Sequence, residues 1–243
     1  MNRKFDFKDI TLVPEVLSRI STRTQINVYT EEGKLPLMVS PMDTVIDINN
    51  ANDFKNLGFE ICYPRNLNNF NHGFKSVSLD EFERLIERKV NLNSNILVDI
   101  ANGHMLKLHS LCDLFVKIYP EVKLMIGNIA NPKTYEKFAS IGVSYIRVGI
   151  GGGSGCLTSA NTGVHYPMAS LIKECYEIKK EQNFKTKIVA DGGFRNYDDI
   201  IKALALGADY VMLGGMLNKS LESCSDTLLF GKIKLSRDVS NKI

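Results

Sequence analysis

Short apolar runs alternate with amphipathic segments along this chain, and that alternation restricts its fold more than any other property. Leu35–Val39, Gly58–Cys62, Asn95–Ile100, Val122–Ile126, Tyr145–Val148, Lys187–Ala190 and Tyr210–Leu213 read as strands, with Phe74–Val77 as a weaker eighth. Nearly continuous apolar character suits parallel strands covered on both faces. The intervening segments carry helix signals. Asn131 before Pro132 caps a helix that Gly142 ends. Asp80 is placed to cap Glu81–Lys89, and Asp198 to cap Asp199–Leu206 with Gly207 as the stop. The pattern predicts one α/β domain over residues 1–243, a (β/α)8 TIM barrel with parallel strands.

In such a barrel the reactive face lies at the C-terminal strand ends. Those ends are Ser40-Pro-Met-Asp43, Asp99-Ile-Ala-Asn-Gly103, Gly127-Asn128, Gly149 to Cys156, Asp191-Gly-Gly193 and Gly214-Gly215. Small and acidic residues from six strands gather there, more than ordinary turns would supply. Asp191-Gly192-Gly193 and Gly214-Gly215 follow the last two strands, where backbone amides of these barrels bind phosphate. The stretch Arg147 to Thr158 runs from a strand into glycines, Ser154, Cys156 and Thr158. Its amides form a concavity suited to an anion, and Cys156 sits where burial does not explain it. That combination points to a sulfur nucleophile beside a phosphorylated substrate. Asp99 needs a hydrogen-bonding partner, in the fold or in a ligand. His104 follows a strand end and could line the same pocket, but a satisfied surface histidine is the default reading.

Other chemistry is disfavoured. Net charge is only +3 with 23% charged residues, so nothing argues for nucleic acid or a membrane surface. No apolar stretch reaches spanning length, and the N-terminus lacks the apolar core of a secretory signal. The cysteines Cys62, Cys112, Cys156, Cys175 and Cys224 are odd in number and unpaired in spacing, which fits a reducing, cytoplasmic setting. The histidines have no metal-ligand spacing. Gly149–Gly153 opens no helix, so a Rossmann site is not indicated.

The chain resembles the IMP dehydrogenase/GMP reductase family. The carrying residues are Phe7 to Pro14, Ser40 to Thr44, Asp99 to Gly103, Gly127-Asn128, Val148 to Thr158, Thr162-Gly-Val164, Asp191 to Gly193 and Tyr210 to Met216, in the family's order. Asp99-Ile-Ala-Asn-Gly103 and Met212-Leu-Gly-Gly-Met216 are similar to the reductase branch. Ser40-Pro-Met-Asp43 is closer to the dehydrogenase. There is no room for a CBS-domain insert.

The resemblance implies NADPH-dependent reductive deamination of GMP to IMP and ammonia, through a thioimidate on Cys156. Thr158 would move protons. Ser154, Asp191, Gly192, Gly193, Gly214 and Gly215 would bind the nucleotide. Asp99, Ile100, Ala101, Ile150 and Gly151, with Thr22 and Arg23 as weaker matches, would contact the cofactor. Carbonyls of Gly151, Gly153 and Cys156 would hold potassium, and the family suggests a homotetramer.

The chain departs from the family at Gly152, Gly155 and Ser159, around the third strand, and after the second strand, where Pro64 or Arg65 replaces a lysine. About 28 residues follow Gly215, so the flap and eighth helix are expected to be reduced or missing. Three further readings stay open: an IMP dehydrogenase without CBS domains, a catalytically impaired nucleotide-binding barrel, and an unrelated phosphate-binding barrel enzyme. The last lacks a strand-end lysine for Schiff-base work.

Overall fold

The computed structural model describes residues 3–67, 72–151, 162–220 and 223, together with strands at 228–230 and 233–235. Eight parallel strands close into a barrel in chain order. They are β1 (Leu37–Val39), β2 (Glu60–Tyr63), β3 (Phe74–Val77), β4 (Asn95–Asp99), β5 (Leu124–Ile129), β6 (Tyr145–Val148), β7 (Lys187–Asp191) and β8 (Tyr210–Leu213). β1 pairs with β8 to shut the barrel, Leu37 standing opposite Val211. The described helices are α1 (Ala51–Asn56), α2 (Leu79–Arg88), α3 (Leu106–Ile118), α4 (Pro132–Ser140), α5 (Met168–Glu181) and α6 (Tyr197–Ala205).

The strand alternation sorts side chains into two cores. Ile96, Val98, Ile126, Ile146, Val148, Ile188, Val211 and Leu213 pack outward with the buried helix residues Phe82, Leu108, Phe115, Tyr135, Leu171 and Ile172. Met38, Cys62, Phe74, Leu97, Met125, Tyr145, Val189, Tyr210 and Met212 form a second cluster that fills the barrel. Phe74 and Tyr145 meet edge to face there, with ring centres 5.2 Å apart. Two residues farther along the strands, the same inward parity reaches Ser40, Ser76, Asp99, Gly127, Arg147, Asp191 and Gly214. The interior therefore changes from apolar to polar at the C-terminal mouth.

Two helix starts differ from expectation. Ser78, not Asp80, caps α2: its hydroxyl accepts from the Glu81 N–H at 3.2 Å, and the Glu81 carboxylate accepts from the Ser78 N–H at 2.7 Å. The reciprocal pair satisfies two donors, where a lone aspartate would satisfy one. Asn196 precedes α6, and the Asp199 carboxylate accepts from the N–H groups of Arg195 and Asn196. Asp198 instead pairs with Lys202 at 3.0 Å, one turn on. The Asn131 cap is as expected, accepting from the Lys133 N–H at 2.9 Å. At Gly207, φ is +108° and a Cβ would lie 2.2 Å from the Tyr176 ring, so the chain stops there for steric as well as conformational reasons.

Among the described residues no α-helix follows β8. A 3-10 turn (Leu217–Lys219) comes next. Strands β9 (Leu228–Phe230) and β10 (Ile233–Leu235) then form an antiparallel hairpin that was not among the expected elements.

The N-terminal segment is fastened across α5 and α6. Phe5 and Ser170 exchange hydrogen bonds of 2.8 and 3.1 Å. Asp6 accepts from the Met168 N–H at 2.8 Å. Phe7 is buried against Phe194, and Lys202 donates to its carbonyl at 3.0 Å. Residues 11–29 then form an exposed arm in which Val13, Val16 and Leu17 are 87%, 90% and 86% accessible.

Candidate functional site

Arg147 organises the barrel mouth. It is a cation within an otherwise apolar strand, facing inward, and its side chain is only 7% exposed. Its guanidinium spans two carboxylates from separate strands. One nitrogen donates to Asp99 Oδ1 at 2.6 Å, at the end of β4. The other two donate to Asp191 Oδ2 at 2.7 and 3.2 Å, at the end of β7. Burial disfavours the Arg147 charge, but Asp191 and Asp99 outweigh that cost and hold the proton more tightly than usual. Asn128 completes the bridge, donating to Asp191 Oδ2 and to the Gly149 carbonyl, both at 2.8 Å. Arg65 donates to the Asp99 carbonyl and lies 3.9 Å from Asp99 Oδ2.

Glycine makes this crossing possible. Gly127 lies directly opposite Arg147 in the sheet. A Cβ at Gly127 would sit 2.4 Å from Arg147 Cβ, so only glycine lets the arginine leave its strand inward. Gly149 has φ +134° and brings its backbone against β7, where a Cβ would fall 2.2 Å from the Asp191 carbonyl. A third close approach occurs at Gly214, whose Cβ would meet Met42 Sδ at 2.6 Å.

Asp99 and Asp191 come together through Arg147, and their side chains are 31% and 15% exposed. Ile100 and Asn128 interlock β4 and β5: the Ile100 N–H donates to Gly127 O at 2.9 Å, and the Asn128 N–H to Ile100 O at 2.6 Å. Ala101 is exposed beside them. Gly192 and Gly193 both take positive φ, at +97° and +85°. Gly214 turns the chain into the following 3-10 helix, its carbonyl accepting from the Leu217 and Asn218 N–H groups, and Gly215 faces open space. Ile150 is buried, with its carbonyl accepting from His165 Nδ1 at 3.0 Å, and Gly151 has φ +87°. Thr22 and Arg23 lie on the exposed arm, and the hydrogen bonds of Thr22 stay within it. Gly153, Ser154, Cys156 and Thr158 lie outside the described residues.

The remaining described cysteines are buried. Burial pushes the thiols of Cys62, Cys112 and Cys175 well up, away from nucleophilic use. His104 is a structural link: Nε2 accepts from the Ala130 N–H and Nδ1 bonds Thr134 Oγ1, both at 3.0 Å. Burial keeps its imidazole below the ordinary range. Among the described residues no three His, Cys, Asp or Glu side chains are grouped to hold a metal.

The residue not singled out from sequence is Arg147. The available signal was a lone cation within Tyr145-Ile-Arg-Val148, at the parity that points into the barrel.

The glycine–cysteine stretch, the strand-end aspartates and the barrel connect the chain to known proteins. Residues 71–237 match the IMP dehydrogenase / GMP reductase domain. The chain is 34% identical to an inosine-5'-monophosphate dehydrogenase of Chlorobaculum parvum over 65% of its own length, which is 31% of that relative. It is 30% identical to a GMP reductase of Buchnera aphidicola over 95% of its length and 73% of the relative's. The corresponding match to GMP reductase 1 of Mus musculus is 29% identical, over 93% of this chain and 72% of the mouse protein. The chain thus spans about a third of the first of these relatives and nearly three quarters of the other two. It belongs to the IMP dehydrogenase/GMP reductase family.

Proposed function

We propose that this chain is a purine-nucleotide oxidoreductase that converts GMP to IMP and ammonia at the expense of NADPH. The observation that carries the reading is the polar layer at the barrel mouth, where Asp99 and Asp191 face each other across Arg147. GMP reductases align with nearly the whole chain, which supports the same branch.

In this reading Asp191 accepts hydrogen bonds from the nucleotide ribose, and amides of Gly192, Gly193, Gly214 and Gly215 receive its phosphate. Ser154 adds a hydroxyl donor. Asp99 offers an oxygen that Arg147 does not engage, a fitting acceptor for a cofactor ribose, and Ile100, Ala101, Ile150 and Gly151 are the further cofactor contacts of this reading. Thr22 and Arg23 complete the cofactor contacts only if the arm closes over the mouth. NADPH, when bound, supplies a hydride.

The thiolate of Cys156 attacks C2 of the purine. The C–S bond forms as the C2–N bond to the exocyclic amine breaks, and ammonia leaves with a proton relayed through Thr158. Hydride addition at C2 then expels the sulfur and regenerates the thiolate. Carbonyls of Gly151, Gly153 and Cys156 would supply the oxygen donors for a potassium ion in this reading. Two of those three residues lie outside the described residues, so no step is assigned to the ion. A homotetramer in the cytoplasm, built from one barrel domain per chain, belongs to the same reading.

A second reading is oxidation of IMP with NAD, favoured by Ser40-Pro-Met-Asp43 and by the dehydrogenase match. A third is a nucleotide-binding barrel without turnover, favoured by the lack of an α-helix after β8 among the described residues. Absorbance of reduced nicotinamide, with GMP plus NADPH and with IMP plus NAD, separates them when run beside thermal shift. GMP-dependent NADPH loss with ammonia release supports the first reading, and IMP-dependent NAD reduction the second. A thermal shift without turnover supports the third. Cys156→Ala should lower turnover more than ~10⁴-fold while leaving GMP affinity within about threefold of wild type.

A further inference from the structure

We propose that Arg147 is a positioning residue that couples occupancy of the nucleotide half-site to occupancy of the cofactor half-site. The inference rests on the functional reading above for what each half-site binds. Its geometric basis is independent of that reading.

A single planar fork joins the ends of β4 and β7, which are not adjacent in the barrel. It engages Oδ1 of Asp99 and Oδ2 of Asp191, and it makes no bond to the second oxygen of either carboxylate. Asp191 therefore keeps Oδ1, and Asp99 keeps Oδ2 with Arg65 no nearer than 3.9 Å, as acceptors for a ligand hydroxyl while the first oxygen fixes each rotamer. A ligand that draws Asp191 into one orientation also draws the guanidinium, and the guanidinium carries Asp99 with it. Arg147 has little freedom to absorb the change elsewhere: it is nine-tenths buried, lies opposite Gly127 in the sheet, and shares Asp191 with Asn128. Ordering one half-site thus spares the other the cost of ordering its own carboxylate, which is positive coupling. Lysine at this position would keep the charge but could hold only one carboxylate at a time, because it lacks the fork.

The test measures the Kd of GMP with and without saturating NADP⁺, and of NADP⁺ with and without GMP, by calorimetry. Wild-type chain should bind each ligand about tenfold more tightly in the presence of the other. In Arg147→Lys that ratio should fall to near one, with both ligands still bound. Asp99→Asn is the second variant, against the chance that the lysine variant fails to fold. It alters only the cofactor end, yet GMP alone should bind several-fold more weakly. A residue that merely stabilised the fold would shift the melting temperature and leave the coupling ratio intact. Wild-type ratios near one, or a wild-type ratio retained in both variants, overturn the proposal while the functional reading stands. Wild-type chain that binds neither GMP nor NADP⁺ overturns the functional reading, and this inference with it.

Discussion

A guanidinium inside a barrel persists because both of its neighbours are anions from the same polar layer. Removing Asp191 would leave Arg147 paired with Asp99 alone and short of two charge-assisted hydrogen bonds, each worth about 1.5–3 kcal/mol. Asp191→Ala should therefore destabilise the chain by ~3 kcal/mol, read by urea unfolding, because Asp191 accepts two of the three Arg147 bonds. Gly127→Ala tests the steric side of the same feature. The new methyl would collide with Arg147 Cβ, and overpacking of this kind costs ~1–3 kcal/mol. A stability unchanged within ~0.5 kcal/mol would show that the strands part easily at this point. Sequence pattern exposed Asp99 and Asp191 because each ends an apolar strand. It passed over Arg147 because a cation in mid-strand acquires its meaning only when the barrel brings distant acids to it.

At the scale of elements, helix starts were legible where the capping chemistry was local. Asn131-Pro132 needed nothing beyond its own tripeptide. The start of α2 was misplaced by two residues because Asp80 and Ser78 are both competent caps, and the reciprocal bond with Glu81 decides between them. Ser78→Ala should cost about 1 kcal/mol in thermal or urea unfolding. Loops also carry a pH signature. His104 ties the loop after β4 to the one after β5 as a neutral ring, since Nε2 accepts a backbone proton. Its folded-state affinity for protons is lowered, so the unfolded chain protonates first. The stabilisation is complete above the ordinary imidazole value of 6.5 and is lost as pH falls through the lower native one. His104→Gln should flatten the slope of stability against pH on the acid side of neutrality. His72, also held low by burial and hydrogen-bonded to Tyr63, should retain a slope of the same sign.

Over the whole molecule, the barrel followed from eight nearly continuous apolar runs alternating with capped helical segments, because eight buried parallel strands leave few other closed arrangements. The hairpin at β9 and β10 was passed over because its strands are only three residues long, although Leu228–Phe230 and Ile233–Leu235 stand on either side of a two-residue Gly231-Lys232 link in the sequence. No helix among the described residues is long and apolar enough to cross a membrane. The clasp of the first residues over α5 and α6 was equally hidden, because Phe5 and Ser170 are 165 positions apart. Phe7→Ala should loosen that clasp, lowering stability by ~3 kcal/mol and exposing the start of the chain to protease. The pairing of β1 with β8 sets the order of events during synthesis. β1 leaves the ribosome first of the eight barrel strands, and its partner at Tyr210–Leu213 leaves last of them. Until then one rim of the nascent sheet has open amides and carbonyls, the condition in which chains capture one another. Translation that stalls before residue 210 should therefore release sticky fragments, and those that extend past 213 should be able to seal themselves.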